Sequence, residues 1–293
     1  HGWTVTDREA PMNTKPQGSR GSPDEAENSA TSIKTPESAA ATNFFKRDLF
    51  ANLVVVALIL VSMEVWSRFT PQYIMPSVGQ SASYIVKIME LDAIHILITL
   101  FRLTLAVCFS LIIGSLIGAV MGMVKRVGPF VKSAVIIDTG VPALSWMLFA
   151  VFWFREPELR VFFIMAMILI PFYALNVYDA IRALPTDLLE VVETFRPNRW
   201  QVLRLLILPH VVPYILMTTK SIIGYATRMM VFAELVSVST GMGARMGLAQ
   251  NNFEMDGVIG WTVLLVILNL SVQALVAFAE KILLKWRPEV SVR

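Results

Sequence analysis

The sequence predicts an all-α membrane protein of six spanning helices, and three observations carry that expectation. Apolar residues fill 55% of the 293 positions and charged residues 16%, against about 45–50% and about 25% in a soluble globular domain. Six mostly apolar runs approach the roughly 20 residues that a helix needs to cross a bilayer. Lys and Arg concentrate in alternate connecting segments, the asymmetry that orients membrane proteins.

Residues 1–46 are rich in Ser, Thr, Ala, Pro and mixed charge. They lack the apolar core of a signal peptide and read as a disordered cytoplasmic tail. A transmembrane domain follows over 47–288. Its first span is 49–67. The second, 97–124, carries Gly114, Gly118 and Gly122 every four residues, a smooth face for close helix packing. The third, 134–154, contains Asp138, Gly140 and Pro142, which predict a bent or broken start. The fourth is 160–177, the fifth 212–236 and the sixth 258–280.

An even number of spans puts both termini on one side. With the N-terminus inside, the inner segments hold Lys46, Arg47, Lys125, Arg126, Lys132, Arg182, Arg196, Arg199, Arg204, Lys281, Lys285 and Arg287. The outer segments hold only Arg68, Lys87, Arg155, Arg160 and Arg245. The expected location is therefore the cell (inner) membrane, multi-pass, with both termini cytoplasmic. The single Cys108 forms no disulfide within the chain, and His1, His95 and His210 have no metal-ligand spacing.

The segment between spans four and five, "EVVETFRPNRWQVLRLLILP", carries an unusual load of charge for this chain. Asp187 with Glu190 fits an acidic capping box, and Pro197 disfavours helix at Arg196. Asn198 with Gln201 marks a second helix start, and Trp200, Leu203 and Ile207 share one face of it. Pro209 is expected to end or kink that helix where it meets the membrane. Two short helices joined by a tight turn offer a knob to a soluble partner, or lie as a connector on the lipid surface.

Charges within the spans are functional candidates by default. Glu64 fits snorkelling. Arg102 either snorkels or pairs with a carboxylate. Asp138 either caps the broken span or faces a pathway. In span five, Arg228 and Glu234 are about 9 Å apart along the axis and about 120° apart around it, so they do not pair within the helix. Arg228 then needs a partner on another helix, a polar cavity or an anion.

The charged loop resembles the EAA loop of ATP-binding-cassette importer permeases. Glu190, Val191 and Val192 stand for Glu-Ala-Ala, Arg196 for Gly, Leu206 for Ile, and Leu208-Pro209 for Leu-Pro, with matching spacing. Other motifs resemble the nitrate/sulfonate/taurine-type subfamily: "MPS" at 75–77, "TLFR" at 99–102, "FWF" at 152–154, "TTKSIIGYA" at 218–226 and "AELVSVSTGMG" at 233–243. The resemblance covers about 48–288.

The resemblance implies a type I ABC importer permease fold with a cytoplasmic coupling-helix pair at 182–210. It implies a homodimer of this chain, two cytoplasmic ATPase subunits and an external substrate-binding protein. A small anionic solute would move by alternating access. The coupling contacts would fall on Glu190, Val191, Val192, Glu193, Arg196, Pro197, Arg199, Leu208 and Pro209. The translocation pathway would include Tyr225, Thr227, Met230 and Glu234, and Arg228 is added to them as an intramembrane cation, at a position where the family usually has an apolar residue. No cofactor is expected in the chain, which has no G-x-x-x-x-G-K-[ST] phosphate loop; ATP and Mg would belong to the ATPase subunits. Arg196 stands where Gly allows a positive-φ turn, and Pro197 is expected to supply a different turn. The chain itself is expected not to be an enzyme. Rival classes are a secondary transporter, which usually carries internal repeats, and a membrane scaffold without transport.

Overall fold

The six apolar runs become helices because a lipid-exposed backbone must satisfy its own hydrogen bonds. The computed structural model describes residues 36–124, 126–185 and 198–284, with side chains from Phe50 onward except that of Arg199. Residues 1–35 of the expected tail, and the loop residues Glu190, Val191, Val192, Glu193, Arg196 and Pro197, lie outside the described residues. The chain divides into two units, His1–Leu58 and Ile59–Arg293. Helix α1 (Pro36–Ser67) runs from the first into the second. Residues 36–46, which the sequence reading assigned to the tail, are thus helical, beginning at a Pro, the residue best suited to a first helical position.

The second unit contains α2 (Val78–Leu91), α3 (Ala93–Met123), α4 (Gly128–Thr139), α5 (Ala143–Trp153) and α6 (Pro157–Arg182). A short α7 (Arg199–Val202) and a π-helical turn, Leu203–Ile207, lead into α8 (Leu208–Ser237). Helices α9 (Met242–Asn251) and α10 (Met255–Leu283) follow. Among the described residues, five helices are long and apolar enough to cross a membrane, or six if the bent pair α4–α5 counts as one.

Two elements were not anticipated. Helix α2 starts on a full capping box: Gln80 N–H donates to Ser77 Oγ and Ser77 N–H to Gln80 Oε1. Glu64, read as a snorkelling residue, accepts a hydrogen bond from Val78 N–H at 3.1 Å and places its charge at the positive end of α2. Tyr84 of α2 donates to Glu254 at 3.1 Å. Burial, and then the Glu254 carboxylate, push the Tyr84 hydroxyl up to about 12, so it stays a donor at neutral pH. Helix α9 is too short and too polar to register as a span.

The third span departs from its expected form. The break falls at the expected Gly140 and Pro142, but helix already begins at Gly128 rather than at 134, so the break lies mid-span, and α4 and α5 meet at 95°. Pro142 holds Val141 out of helical geometry, and Gly140 closes α4. Each half is only about 16–18 Å long, short of the roughly 30 Å hydrocarbon layer.

Helices α3 and α6 run side by side in the same direction, held by the glycine stripe. A Cβ on Gly118 would sit 2.5 Å from the Ala174 carbonyl oxygen, and one on Gly114 would sit 2.6 Å from Tyr173 Cβ. The stripe is therefore a packing seam. Around it lies the main core, with Leu103, Met165, Leu169, Tyr173, Ala226 and Met230 from α3, α6 and α8.

We expect Gly118→Val to force α3 from α6 and lower stability by about 1–3 kcal/mol or more. Gly79→Ala, whose Cβ would meet nothing closer than 3.9 Å, should leave the melting temperature in detergent unchanged. Equal melting temperatures for the two variants would contradict the packing role of the stripe.

Candidate functional site

The densest polar constellation lies where one end of α3 meets α6, α8 and the turn before α9. Five donors of the Arg102 guanidinium are all used. Nε and Nη2 form a fork on the Glu158 carboxylate, with Nε to Oε2 at 2.7 Å. Nη1 donates to Glu234 Oε1 at 2.8 Å and to the Thr240 carbonyl at 2.7 Å. Nη2 also donates to Thr240 Oγ1 at 2.8 Å. Such a planar bidentate match is what Arg supplies and Lys does not.

Glu234 is fully buried, and three residues from α3 and α9 satisfy it, Arg102 among them. Thr99 Oγ1 lies 2.9 and 3.0 Å from its two carboxylate oxygens, and Gly243 N–H donates at 3.0 Å. Gly241, at φ +109°, lies so close that a Cβ there would stand 2.3 Å from Glu234 Oε1. The Gly-Met-Gly turn therefore fits the carboxylate by backbone conformation and by space at once. Met242 N–H donates to Thr99 Oγ1 at 2.9 Å, and Arg245 pairs with Asp92, so the start of α9 is stapled to α3.

Of the alternatives open for Arg102, the structure has the ion pair, with two carboxylates rather than one. Thr99, Glu158 and Thr240 were missed. The i, i+3 spacing of Thr99 and Arg102 places them on one helix face, but only the fold reveals Glu158 and Thr240 as partners. Beside this network lies a cavity of about 710 Å³, walled mostly by apolar residues such as Leu97, Phe101, Leu105, Phe162 and Met230.

The five pathway residues separate onto two faces of α8. Thr227, Met230 and Glu234 lie on the buried face, Thr227 donating to the Ile223 carbonyl at 2.8 Å. Arg228 lies on the open face with Lys220, Ser221 and Phe232, and Tyr225 is half-buried beside it. At 100° per residue, positions three and seven apart stay together, which is why 227, 230 and 234 turn away from 228. Arg228 Nε donates to the Gly224 carbonyl at 3.2 Å, and no carboxylate among the described residues lies within salt-bridge distance of it. Lys220, two turns earlier, pairs with Glu280 of α10 at 2.7 Å. Asp138 and Tyr225 both line a cavity of about 100 Å³ at the α4–α5 elbow. One Asp138 oxygen is buried there without a partner among the described residues.

The base of the charged loop is well defined although its tip is outside the described residues. Asn198 N–H donates to Gln201 Oε1 at 2.8 Å, half of the expected capping pair. Ile207 is buried, Leu203 partly buried and Trp200 66% exposed, so the expected shared face is apolar core at one end only. Pro209 does not end the helix. The backbone widens into the π turn just before it and continues as α8. That widening gives the ring the room that an α-helical carbonyl at i−4 would deny it. Val177, Ala180 and Leu184 of the α6 end pack against Ile207 and Val211, and His210 Nε2 lies 3.1 Å from the Ala180 carbonyl. Both stems of the loop are thus fixed to one another. Leu208 and Pro209 are exposed there.

Removing Arg102 leaves a buried carboxylate unpaired. Arg102→Ala should cost about 3–5 kcal/mol, whereas Glu158→Gln, at a side chain 67% exposed, should cost about 1 kcal/mol or less. Thermal unfolding in detergent checks the ranking, and a larger loss for Glu158→Gln would contradict it.

The chain is similar to known proteins. Residues 110–284 match the family described as binding-protein-dependent transport system inner membrane component. A protein named as an aliphatic sulfonates transport permease, SsuC, of Bacillus subtilis (strain 168) is 26% identical over 194 residues, 66% of this chain and 70% of that protein. The taurine transport system permease protein TauC of Escherichia coli (strain K12) is 22% identical over 67% of this chain and 71% of its own length. The nitrate import permease protein NrtB of Synechococcus elongatus is 24% identical over 51% of this chain and 54% of its own length. In fold, the chain is similar to one from a bacterial ABC transporter involved in import of the acidic polysaccharide alginate. That likeness has a TM-score of 0.60 at 14% identity, over 81% of this chain and 98% of the other. A chain of the MetNI methionine ABC transporter gives 0.59 at 17% identity, over 68% and 97%. The chain belongs to the binding-protein-dependent transport system inner membrane components, and within them it is an ABC importer permease of the nitrate/sulfonate/taurine type.

Proposed function

We propose that this permease forms the membrane pathway of an ATP-driven importer for a small anionic solute, working by alternating access. The observation that carries the reading is the open face of α8, where Lys220, Ser221 and Arg228 stand exposed along a helix long and apolar enough to span the membrane. A cation at such depth is costly against lipid and is ordinarily found in a polar cavity or against a counter-ion. Two copies of the chain facing each other across that surface would enclose a polar route. Two relatives are named for sulfonates and for nitrate, both anions, in keeping with an Arg228 that has no carboxylate partner among the described residues.

The partners follow from the same reading. Two ATPase subunits would dock at 182–210 on the cytoplasmic side, where Lys and Arg concentrate, leaving both termini cytoplasmic. ATP and Mg would be held by those subunits, with no cofactor in this chain. Glu190, Val191, Val192, Glu193, Arg196, Pro197 and Arg199 would make the docking contact, above a base set by Leu208 and Pro209. An external binding protein would deliver the solute on the opposite side. The stems of the loop are anchored to α6 and α8 through Leu184, Ile207 and His210, so displacement of the docked loop would reach both helices.

Two measurements test this. Capture of the cognate ATPase by the full-length permease should fall at least tenfold in Glu190→Arg while the melting temperature holds; undiminished capture would contradict the docking role. In proteoliposomes with ATPase and binding protein, Arg228→Ala should cut uptake at least tenfold without loss of assembly. Normal uptake would remove Arg228 from the pathway.

A further inference from the structure

The open face of α8 does not stand alone. Gly224 lies between Ser221 and Arg228 on it, and α10 brings two amide side chains there. A Cβ on Gly224 would meet Gln273 Nε2 at 3.0 Å and Asn269 Oδ1 at 3.5 Å. Gly at this point therefore lets the carboxamides of α10 lie directly against the α8 backbone. The Gly224 carbonyl accepts from Arg228 Nε at 3.2 Å, so the guanidinium shares this neighbourhood. One turn towards the α8 start, Lys220 and Glu280 satisfy each other at 2.7 Å. The seam between α8 and α10 thus has a charge-balanced end and an end with a cation and two amides.

The uneven satisfaction of these groups is informative. Asn269 Oδ1 is buried and has no hydrogen-bond partner among the described residues. Gln273 is exposed and Asn269 half-buried. Such polar groups on a helix otherwise as apolar as α10 cost free energy unless something pairs with them. The amide N–H groups can donate to an oxyanion's oxygens beside the guanidinium, whereas the unpartnered Asn269 Oδ1 is an acceptor and calls for a donor such as a water or a solute's amine.

We propose that Gln273 and Asn269 of α10, admitted by Gly224, complete with Arg228 an anion-selective subsite on the permeation surface. Its ligand class is a small oxyanion. Arg228 supplies the attraction, and the two amides orient the oxyanion and decide which shapes are held. This rests on the reading that the open face of α8 lines the pathway, and neither amide residue was apparent as a site from sequence.

Charged thiol reagents test the subsite without knowledge of the natural solute. In full-length permease with Cys108→Ala, which removes the chain's one thiol, Ser221→Cys is introduced and the protein is reconstituted in proteoliposomes. It is treated with the anionic sulfonatoethyl and the cationic trimethylammonioethyl methanethiosulfonate, and rates are normalised to those of a free small thiol. The anionic reagent should be favoured about tenfold or more, because the local charge acts oppositely on the two reagents. Gln273→Leu and Asn269→Leu should each lower that preference about threefold with Arg228 intact. Gly224→Ala, which is gentle on the helix and displaces Gln273, should do the same. An anionic preference unchanged in all three variants would overturn the subsite while leaving the pathway reading standing. Failure of both reagents to label the parent would overturn the pathway reading, and the subsite with it.

Discussion

The arrangement of the permease depends on one guanidinium. Arg102 is almost fully buried and spends every N–H it has, on Glu158 of α6, Glu234 of α8 and Thr240 in the turn before α9. Burying the charges of Arg102 and Glu234 costs desolvation, and an ion pair of this kind does not by itself imply extra stability. What it does is tie α3, α6 and α8 together in an arrangement that leaves these groups satisfied. The Glu234 carboxylate in turn dictates glycine at 241 and, with Thr99, fixes the start of α9.

From this clasp the α3–α6 pair runs together through the Gly114–Gly118–Gly122 seam to the other end of the bundle, where α6 leads into the charged loop. Helix α8 leaves that loop through a π turn packed on the α6 end and returns to the clasp at Glu234. Helices α6 and α8 are therefore joined at both ends, by apolar contacts below and ion pairs above. On the proposed reading, a push on the loop moves this pair as a body, and the face that moves with it carries Arg228. The division of labour within α8 follows: Thr227, Met230 and Glu234 hold the helix in place, and Ser221, Gly224 and Arg228 face outward.

Much of this was legible in the sequence. All six apolar runs correspond to helices, the fifth with a longer lead-in and the third broken, because hydropathy over twenty residues is a strong signal. The glycine stripe was readable as packing from its spacing, and Asn198 with Gln201 as a helix start. Asp138, Gly140 and Pro142 also marked the region of the elbow, where Pro142 limits the conformation of Val141; its angle of 95° was not legible. Of the two effects expected of Pro209, the ending of the helix does not occur, because a π turn, which leaves no mark in composition, precedes it. Pairing across helices was the largest loss. Arg102 and Glu234 were each singled out as intramembrane charges, yet 132 positions separate them, and no local rule joins residues that far apart. Asn269 and Gln273 passed unnoticed because uncharged amides in an apolar run look unremarkable until Gly224 is seen opposite them.

The most direct test of the clasp is a double-mutant cycle on Arg102→Met and Glu234→Leu, read as unfolding free energy of the permease in detergent. Arg102→Met strands the buried Glu234 carboxylate, and Glu234→Leu leaves Arg102 with Glu158 as its one remaining charge partner among the described residues, whereas the pair of changes removes both buried charges. The account predicts that the double variant is more stable than either single one, with a coupling of about 2 kcal/mol or more. Additive losses, with the double variant the least stable, would contradict it.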